Sequence, residues 1–161
     1  MRPHMNFPDL NLPPVSLTGR DIDGKTYVFD ALRNKHVRLT PEEWVRQHWV
    51  SYLSGHLGVP TGLIALEQAF RFQQRTRRAD LVVYDRQATP LFLLECKAPH
   101  IELSQTTFDQ VALYNNVVRA PFLAISNGFE HFCCHVNHST HELFFLPELL
   151  SFSDMVAMQS A

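Results

Sequence analysis

Two apolar runs, Leu81-Val82-Val83-Tyr84 and Leu91-Phe92-Leu93-Leu94, are separated by Asp85-Arg86-Gln87-Ala88-Thr89-Pro90, a stretch with turn chemistry. Each run reads as a buried strand, and the two should pair. Asp80 opens the first run and Glu95-Cys96-Lys97 closes the second, so charge stands where a buried strand normally excludes it. Side chains alternate along a strand, which sends Glu95 and Lys97 to one face and Cys96 to the other. If the strands pair, Asp80 and Glu95 lie side by side near a strand end. Two close carboxylates repel unless a cation neutralises them, and hard oxygen donors favour Mg²⁺ or Mn²⁺ over zinc. The plain structural alternative is that Lys97 pairs with Glu95 at a sheet edge while Asp80 caps a turn.

The rest of the chain supplies elements around that pair. Residues 1–24 include Pro3, Pro8, Pro13 and Pro14 and read as an extended arm that packs on the domain or stays mobile. Thr26–Asp30 and His36–Leu39 form a short hairpin. Thr40-Pro41-Glu42-Glu43 announces a helix running to about residue 56, with Thr40 as N-cap, Pro41 in the first turn and Glu43 placed to close a capping box. Trp44, Val45, His48, Trp49, Tyr52 and Leu53 share its apolar stripe. Leu63–Phe72, Ala79–Asp85 and Leu91–Ala98 read as an antiparallel meander. A second helix follows over Ser104 to about Val118, then strands at Phe122–Ile125 and Phe132–Val136, and an edge strand near Leu143–Leu146. A strand, crossover helix and returning strand over Leu91–Ile125 make a parallel unit, and the class is α/β with a central mixed sheet flanked by helices.

A length of 161 residues with 45% hydrophobic content suits one cored domain, taken as residues 25–161. Fourteen basic against 16 acidic residues leave a net charge of −2, so no overall positive field draws the chain to nucleic acid, and any such affinity is local. Arg71, Arg75, Arg77 and Arg78 are the local candidates, either as phosphate contacts or as a solvated hairpin tip. No apolar stretch is long enough for a membrane helix, and the N-terminus lacks a secretion-type core, so a cytoplasmic protein with reduced thiols is expected.

Further acids and amides can join the strand-end pair. Glu42 flanks the buried stripe of the first helix and Glu43 points more towards solvent, at about 100° per residue. Glu42 is therefore the better-placed site acid, and Glu43 has a capping role. Gln110 and Tyr114, four apart on the second helix, share a face near the strand end and can orient a phosphate by hydrogen bonds. Alternatively Gln110 closes a capping box with Thr107, and Tyr114 is packed. His131, Cys133, His135, His138 and His141 superficially suggest zinc, but adjacent Cys133 and Cys134 face opposite ways, and buried cysteines with surface histidines are the simpler reading.

Asp80, Glu95-x-Lys97, the glutamate-bearing first helix and Gln110-x-x-x-Tyr114, in this order, resemble the PD-(D/E)xK nuclease superfamily. More narrowly, Leu39–Gln47, Arg78–Arg86, Leu94–Pro99 and Ile125–Gly128 resemble the N-terminal domain of type I restriction enzyme R subunits, and the Gln-x-x-x-Tyr element is similar to RecB-type nucleases. The superfamily's Pro-Asp pair is Ala79-Asp80 here, which keeps the carboxylate. The resemblance implies a restriction-endonuclease-like core and Mg²⁺- or Mn²⁺-dependent hydrolysis of phosphodiester bonds in DNA. Asp80, Glu95 and the carbonyl of Cys96 would ligate the metal, and Lys97 would orient the attacking water. Glu42 or Glu43 would complete the acidic pocket, while Gln110 and Tyr114 would position substrate. It further implies other restriction-system subunits as partners. A homodimer placing two sites on opposite strands and a binding module with little turnover are the rival expectations. These 161 residues contain no Gly-rich Lys-Ser/Thr phosphate loop, so ATP-driven translocation is not expected of them alone.

Overall fold

The computed structural model describes residues 6–160; Pro3 of the expected arm lies outside them. The two apolar runs pair as expected. β4 (Ile64–Phe72), β5 (Arg75–Tyr84) and β6 (Pro90–Cys96) form an antiparallel meander, and β6 then pairs in parallel with β7 (Phe122–Ser126). β8 (His131–Asn137) and β9 (Glu142–Leu146) continue antiparallel to the edge, giving the order β4-β5-β6-β7-β8-β9. The sheet is therefore mixed. The crossover from β6 to β7 is α2 (Gln105–Val118), capped by Ser104, whose hydroxyl accepts the Thr107 N–H. That cap excludes a Thr107–Gln110 capping box, because Thr107 already lies inside the helix.

The sheet is covered on both faces. α1 (Pro41–Gly55) and the unanticipated α3 (Phe152–Ser160) bury Val45, Trp49, Leu53, Phe152 and Met155 against Leu81, Val83, Phe92, Leu94 and Phe122 on one side. On the other side α2 buries Phe108 and Val111 against Ala79, Val82, Leu93, Leu123 and Ile125. Each large apolar side chain removed from water contributes about 1.5–3 kcal/mol, so the central strands are held from both faces.

One irregularity positions the site. Leu66 and Phe70 have the same parity on β4 yet pack into opposite cores, and so do Leu81 and Ala79 on β5. The switch falls at Glu67, whose φ of 52° breaks the ladder opposite Asp80. Beyond it, β4 and β5 run on as a hairpin closed by Gln73 and Gln74, both at positive φ, the geometry of a two-residue type I′ turn. Strand β5 thus begins at Arg75, four residues earlier than expected, and the arginines stand on a hairpin rather than in a polar loop.

A second, three-stranded sheet is formed by β1 (Gly19–Ile22), β2 (Lys25–Asp30) and β3 (Lys35–Arg38). The hairpin β2–β3 was expected; β1 lies in the stretch read as extended arm. This sheet packs Val28, Val37 and Leu39 against Trp44 of α1. Upstream, the chain is tied to the domain: the Trp44 indole N–H donates to the Pro8 carbonyl at 2.9 Å, and Asn11 N–H to the Gly128 carbonyl at 2.8 Å. No helix among the described residues is long and apolar enough to cross a membrane.

Candidate functional site

The end of the β5–β6 ladder carries the acids. Leu81 pairs with Leu94, so the register places Asp80 opposite Glu95. Asp80 is held from two sides: Oδ2 accepts the Cys96 backbone N–H at 2.7 Å, and Oδ1 accepts from Arg46 Nη2 at 3.0 Å. Lys97 Nζ lies 3.9 Å from Glu95 Oε1, and Lys97 N–H donates to the Ser126 carbonyl at 2.8 Å, extending the β6–β7 ladder past Cys96. The tips of residues 80, 95 and 97 therefore meet at one strand end. Cys96 alternates away, as expected, into the core beneath α1, where burial pushes its thiol well up.

Glu95 is the unsettled member. Burial first, then the negative charge of Asp80, pushes its carboxyl up to about 8, only partly opposed by Lys97. At neutral pH burial and the neighbouring negative charge thus favour the protonated form of Glu95. Glu42, on the first turn of α1, feels the same field: burial and Asp80 raise its carboxyl, while Arg46 and Lys97 pull it down. Glu42 is half-buried and joins the acidic pocket.

Glu43 overturns its expectation. It is 5% exposed, not solvent-facing, and its carboxylate accepts from Arg33, from Arg46 and, at 3.0 Å, from Gln47 Nε2. Thr40 does cap α1 through the Glu43 N–H at 3.1 Å, but Thr40 N–H goes to the Arg38 carbonyl, so no reciprocal box closes. Arg33 also holds Asp30, whose carboxyl is lowered because the Arg33 and Gln47 hydrogen bonds and the Arg33 charge outweigh burial, and it reaches Glu67 at 3.3 Å. A chain of charge therefore runs Asp30–Arg33–Glu43–Arg46–Asp80, from the small sheet through α1 to the strand end. Burial opposes the charge of Arg46, but Glu43 and Asp80 overcome it and raise its pKa. Sequence reasoning missed Arg33 and Arg46. The available signal was the spacing of Glu42 and Glu43 four and three residues before Arg46.

The remaining candidates do not converge. Tyr114 packs on Phe70 and Phe72 at ring separations of 6.0 and 5.2 Å, with Arg77 over its ring at 5.9 Å. Gln110 is exposed. Neither is hydrogen-bonded to Asp80, Glu95 or Lys97 among the described residues. The arginines divide across the hairpin: Arg77 takes the α2 side, and Arg71 is spent on Thr76 Oγ1 and the Gln74 carbonyl. Strand alternation is the physical reason, since Arg77 pairs with Phe70 and Arg71 with Thr76, successive rungs that face opposite ways.

The histidines and cysteines scatter. His131 Nε2 faces the Asn11 carbonyl at 2.9 Å and so carries the proton, leaving Nδ1 to accept the Ser126 hydroxyl at 2.7 Å. His138 bonds the Ala120 carbonyl, and burial pushes Cys133 and Cys134 up to about 11 and about 12.

Among the described residues, no three His, Cys, Asp or Glu side chains form a ready-made metal cage. The donor set at the strand end nevertheless fits a small hard cation. Mg²⁺ commonly takes only one or two carboxylates and keeps several waters. Each Asp80 oxygen accepts one hydrogen bond and retains a second lone pair, and the proton favoured on Glu95 is what a divalent ion would displace.

Comparison with known proteins agrees on the architecture. A solved fragment assigned as an HsdR subunit of a type I restriction enzyme from Vibrio vulnificus YJ016 superposes with a TM-score of 0.55 at 17% identity, over 75% of this chain and 25% of that one. At that identity the likeness is one of fold, and this chain spans about a quarter of the solved chain's length. No curated protein sequence matches. The family model for the type I restriction enzyme R protein N terminus (HSDR_N) matches residues 41–149, from the first residue of α1 past the last strand. Since that match takes in every strand of the large sheet and the whole Asp80–Glu95–Lys97 cluster, the chain belongs to the family of type I restriction enzyme R protein N-terminal domains.

Proposed function

We propose that this domain is a divalent-metal-dependent nuclease that hydrolyses phosphodiester bonds in DNA, using a PD-(D/E)xK-type site. The observation that carries this reading is the meeting of Asp80, Glu95 and Lys97 at one strand end, beside Glu42. Asp80 and Glu95, with the Cys96 carbonyl, would hold Mg²⁺ or Mn²⁺. When bound, the ion supplies Lewis-acid polarisation of the scissile phosphate. Arg46 and the Cys96 N–H hold the Asp80 carboxylate in place at the strand end. Lys97, half-exposed and close to Glu95, places a fixed positive charge where charge develops on the phosphate in the transition state. Glu42, with its raised carboxyl, holds or releases a proton beside the attacking water. Restriction-system subunits and DNA are the corresponding partners.

The test is Lys97→Ala. Cleavage of plasmid DNA in Mg²⁺ should fall at least about 100-fold, the loss typical of removing one transition-state charge donor. The unfolding midpoint should be unchanged, because Lys97 makes no core contact. Undiminished cleavage would remove the mechanism. A second reading, a binding module with little turnover, is favoured by one detail: both oxygens of Asp80 already have partners. Titration with Mn²⁺ separates the two, since saturable binding that depends on Asp80 and Glu95 belongs to the enzyme alone.

A further inference from the structure

We infer that the open groove between the β2–β3 hairpin and the N-terminal end of α1 is the track for a phosphodiester backbone, with Lys35 and Arg38 as its phosphate contacts. This rests on the nuclease reading and locates the substrate beside that site. The groove has a volume of about 700 Å³ and is lined by Lys35, His36 and Arg38 from β3, Glu42 from α1, and Ala98 and His100 just past Lys97. Glu42 and Ala98 make it continuous with the carboxylate site: the first feels the Asp80 charge, and the second is bonded to Lys97.

The charge accounting selects which cations are available. Arg33 and Arg46 also line the groove, but they are committed to Asp30, Glu43, Glu67 and Asp80. These two guanidiniums are shared among four carboxylates, so they screen Glu43 and Glu67 within the groove but leave no positive charge over for an anion. Lys35 and Arg38 are exposed and take no carboxylate partner among the described residues. The positive end of the α1 dipole opens on the same groove, at Thr40 and Pro41. By contrast Arg71 is bonded within its own hairpin and Arg77 is laid on Tyr114, while the two remaining arginines, Arg75 and Arg78, alternate onto opposite sides of the ribbon and offer no shared track. A strand laid along the β3 groove passes phosphates over Lys35 and Arg38 and reaches the Glu95–Lys97 end.

The experiment measures binding of a fluorescein-labelled DNA duplex by anisotropy, in EDTA, across a salt series. For Lys35→Ala/Arg38→Ala, the slope of log K against log salt should shrink by about 1.8, and affinity at about 0.1 M salt should fall roughly 10–100-fold, as loss of two phosphate contacts requires. The charge-conserving Lys35→Arg/Arg38→Lys variant should keep the wild-type slope, which separates lost charge from lost fold. An unchanged slope in the alanine variant, or no binding by the wild type, would overturn the assignment. The readout needs neither metal nor turnover. Its failure therefore leaves the Lys97→Ala cleavage result standing, and a failure of cleavage leaves the slope readable.

Discussion

Replacing Arg46 with methionine should destabilise this domain by about 3–5 kcal/mol at neutral pH, the usual cost of leaving a buried charge without its partner. Arg46 is 5% exposed and joins Glu43 on its own helix to Asp80 on β5. Methionine fills most of the volume, so the loss is electrostatic rather than a cavity. Glu43 keeps Arg33 and Gln47, but Asp80 keeps only the Cys96 N–H, with the Glu95 and Glu42 carboxyls close by. In a domain of this size about 1 kcal/mol moves the midpoint by about 2–4 °C, so the melting temperature should drop by roughly 6–20 °C. Urea denaturation of Arg46→Met, Asp80→Asn and the double variant gives the coupling directly. Removing both partners should cost less than the two single losses together, because no charge is then stranded. A deficit below about 1 kcal/mol would refute the account of Arg46 as the shared counter-ion of Glu43 and Asp80.

The Glu95 carboxyl, ordinarily near 4.5 but pushed up to about 8, contributes stability that is fully present below pH 4.5 and is lost as pH rises through 8. At 1.36 kcal/mol per pH unit this is a few kcal/mol at most, so Glu95→Gln should flatten the fall in stability over that window, as read by melts at pH 5 and pH 8. A fall of equal size in the variant would assign it to other groups. Gly128, at φ 89°, sits where an added Cβ would come within 2.7 Å of Leu10, so Gly128→Ala should loosen the segment around residue 10 and raise its susceptibility to limited proteolysis. Cleavage rates matching the wild type would show that the contact carries no weight.

Much of the site was legible because its parts obey local rules. The residues between two apolar runs make a turn over 85–89, the runs pair across it, and after a register shift between Val83 and Tyr84 the ladder sets Asp80 beside Glu95. Thr40-Pro41 marked the start of α1 for reasons contained in four residues. What stayed hidden depends on what packs where. A single apolar stripe describes a helix covered on one side, but α1 lies between the large sheet and the small one, so Glu43, Arg46 and Gln47 are buried as well. No periodicity reveals that, because the second cover comes from β1–β3. The arginines were placed together by proximity in sequence, and the alternation of a strand that the polar residues did not announce divided them. The length of the β5 strand was missed because its first half, Arg75-Thr76-Arg77-Arg78, has no apolar pattern to announce it.

The kink at Glu67 has a mechanical corollary for the β4–β5 hairpin. Below it both strands are clamped between helices, while above it the ribbon presents its opposite surface. Because side chains on a ribbon repeat every two residues, lengthening each strand of the ribbon by two residues would leave Asp80 undisturbed and return every arginine to its present side. Adding one residue to each would exchange the sides, turning Arg71 to the α2 side on which Arg77 now rests. The acid at the strand end is thus insulated from the reach of the ribbon above it, and the two can be tuned separately.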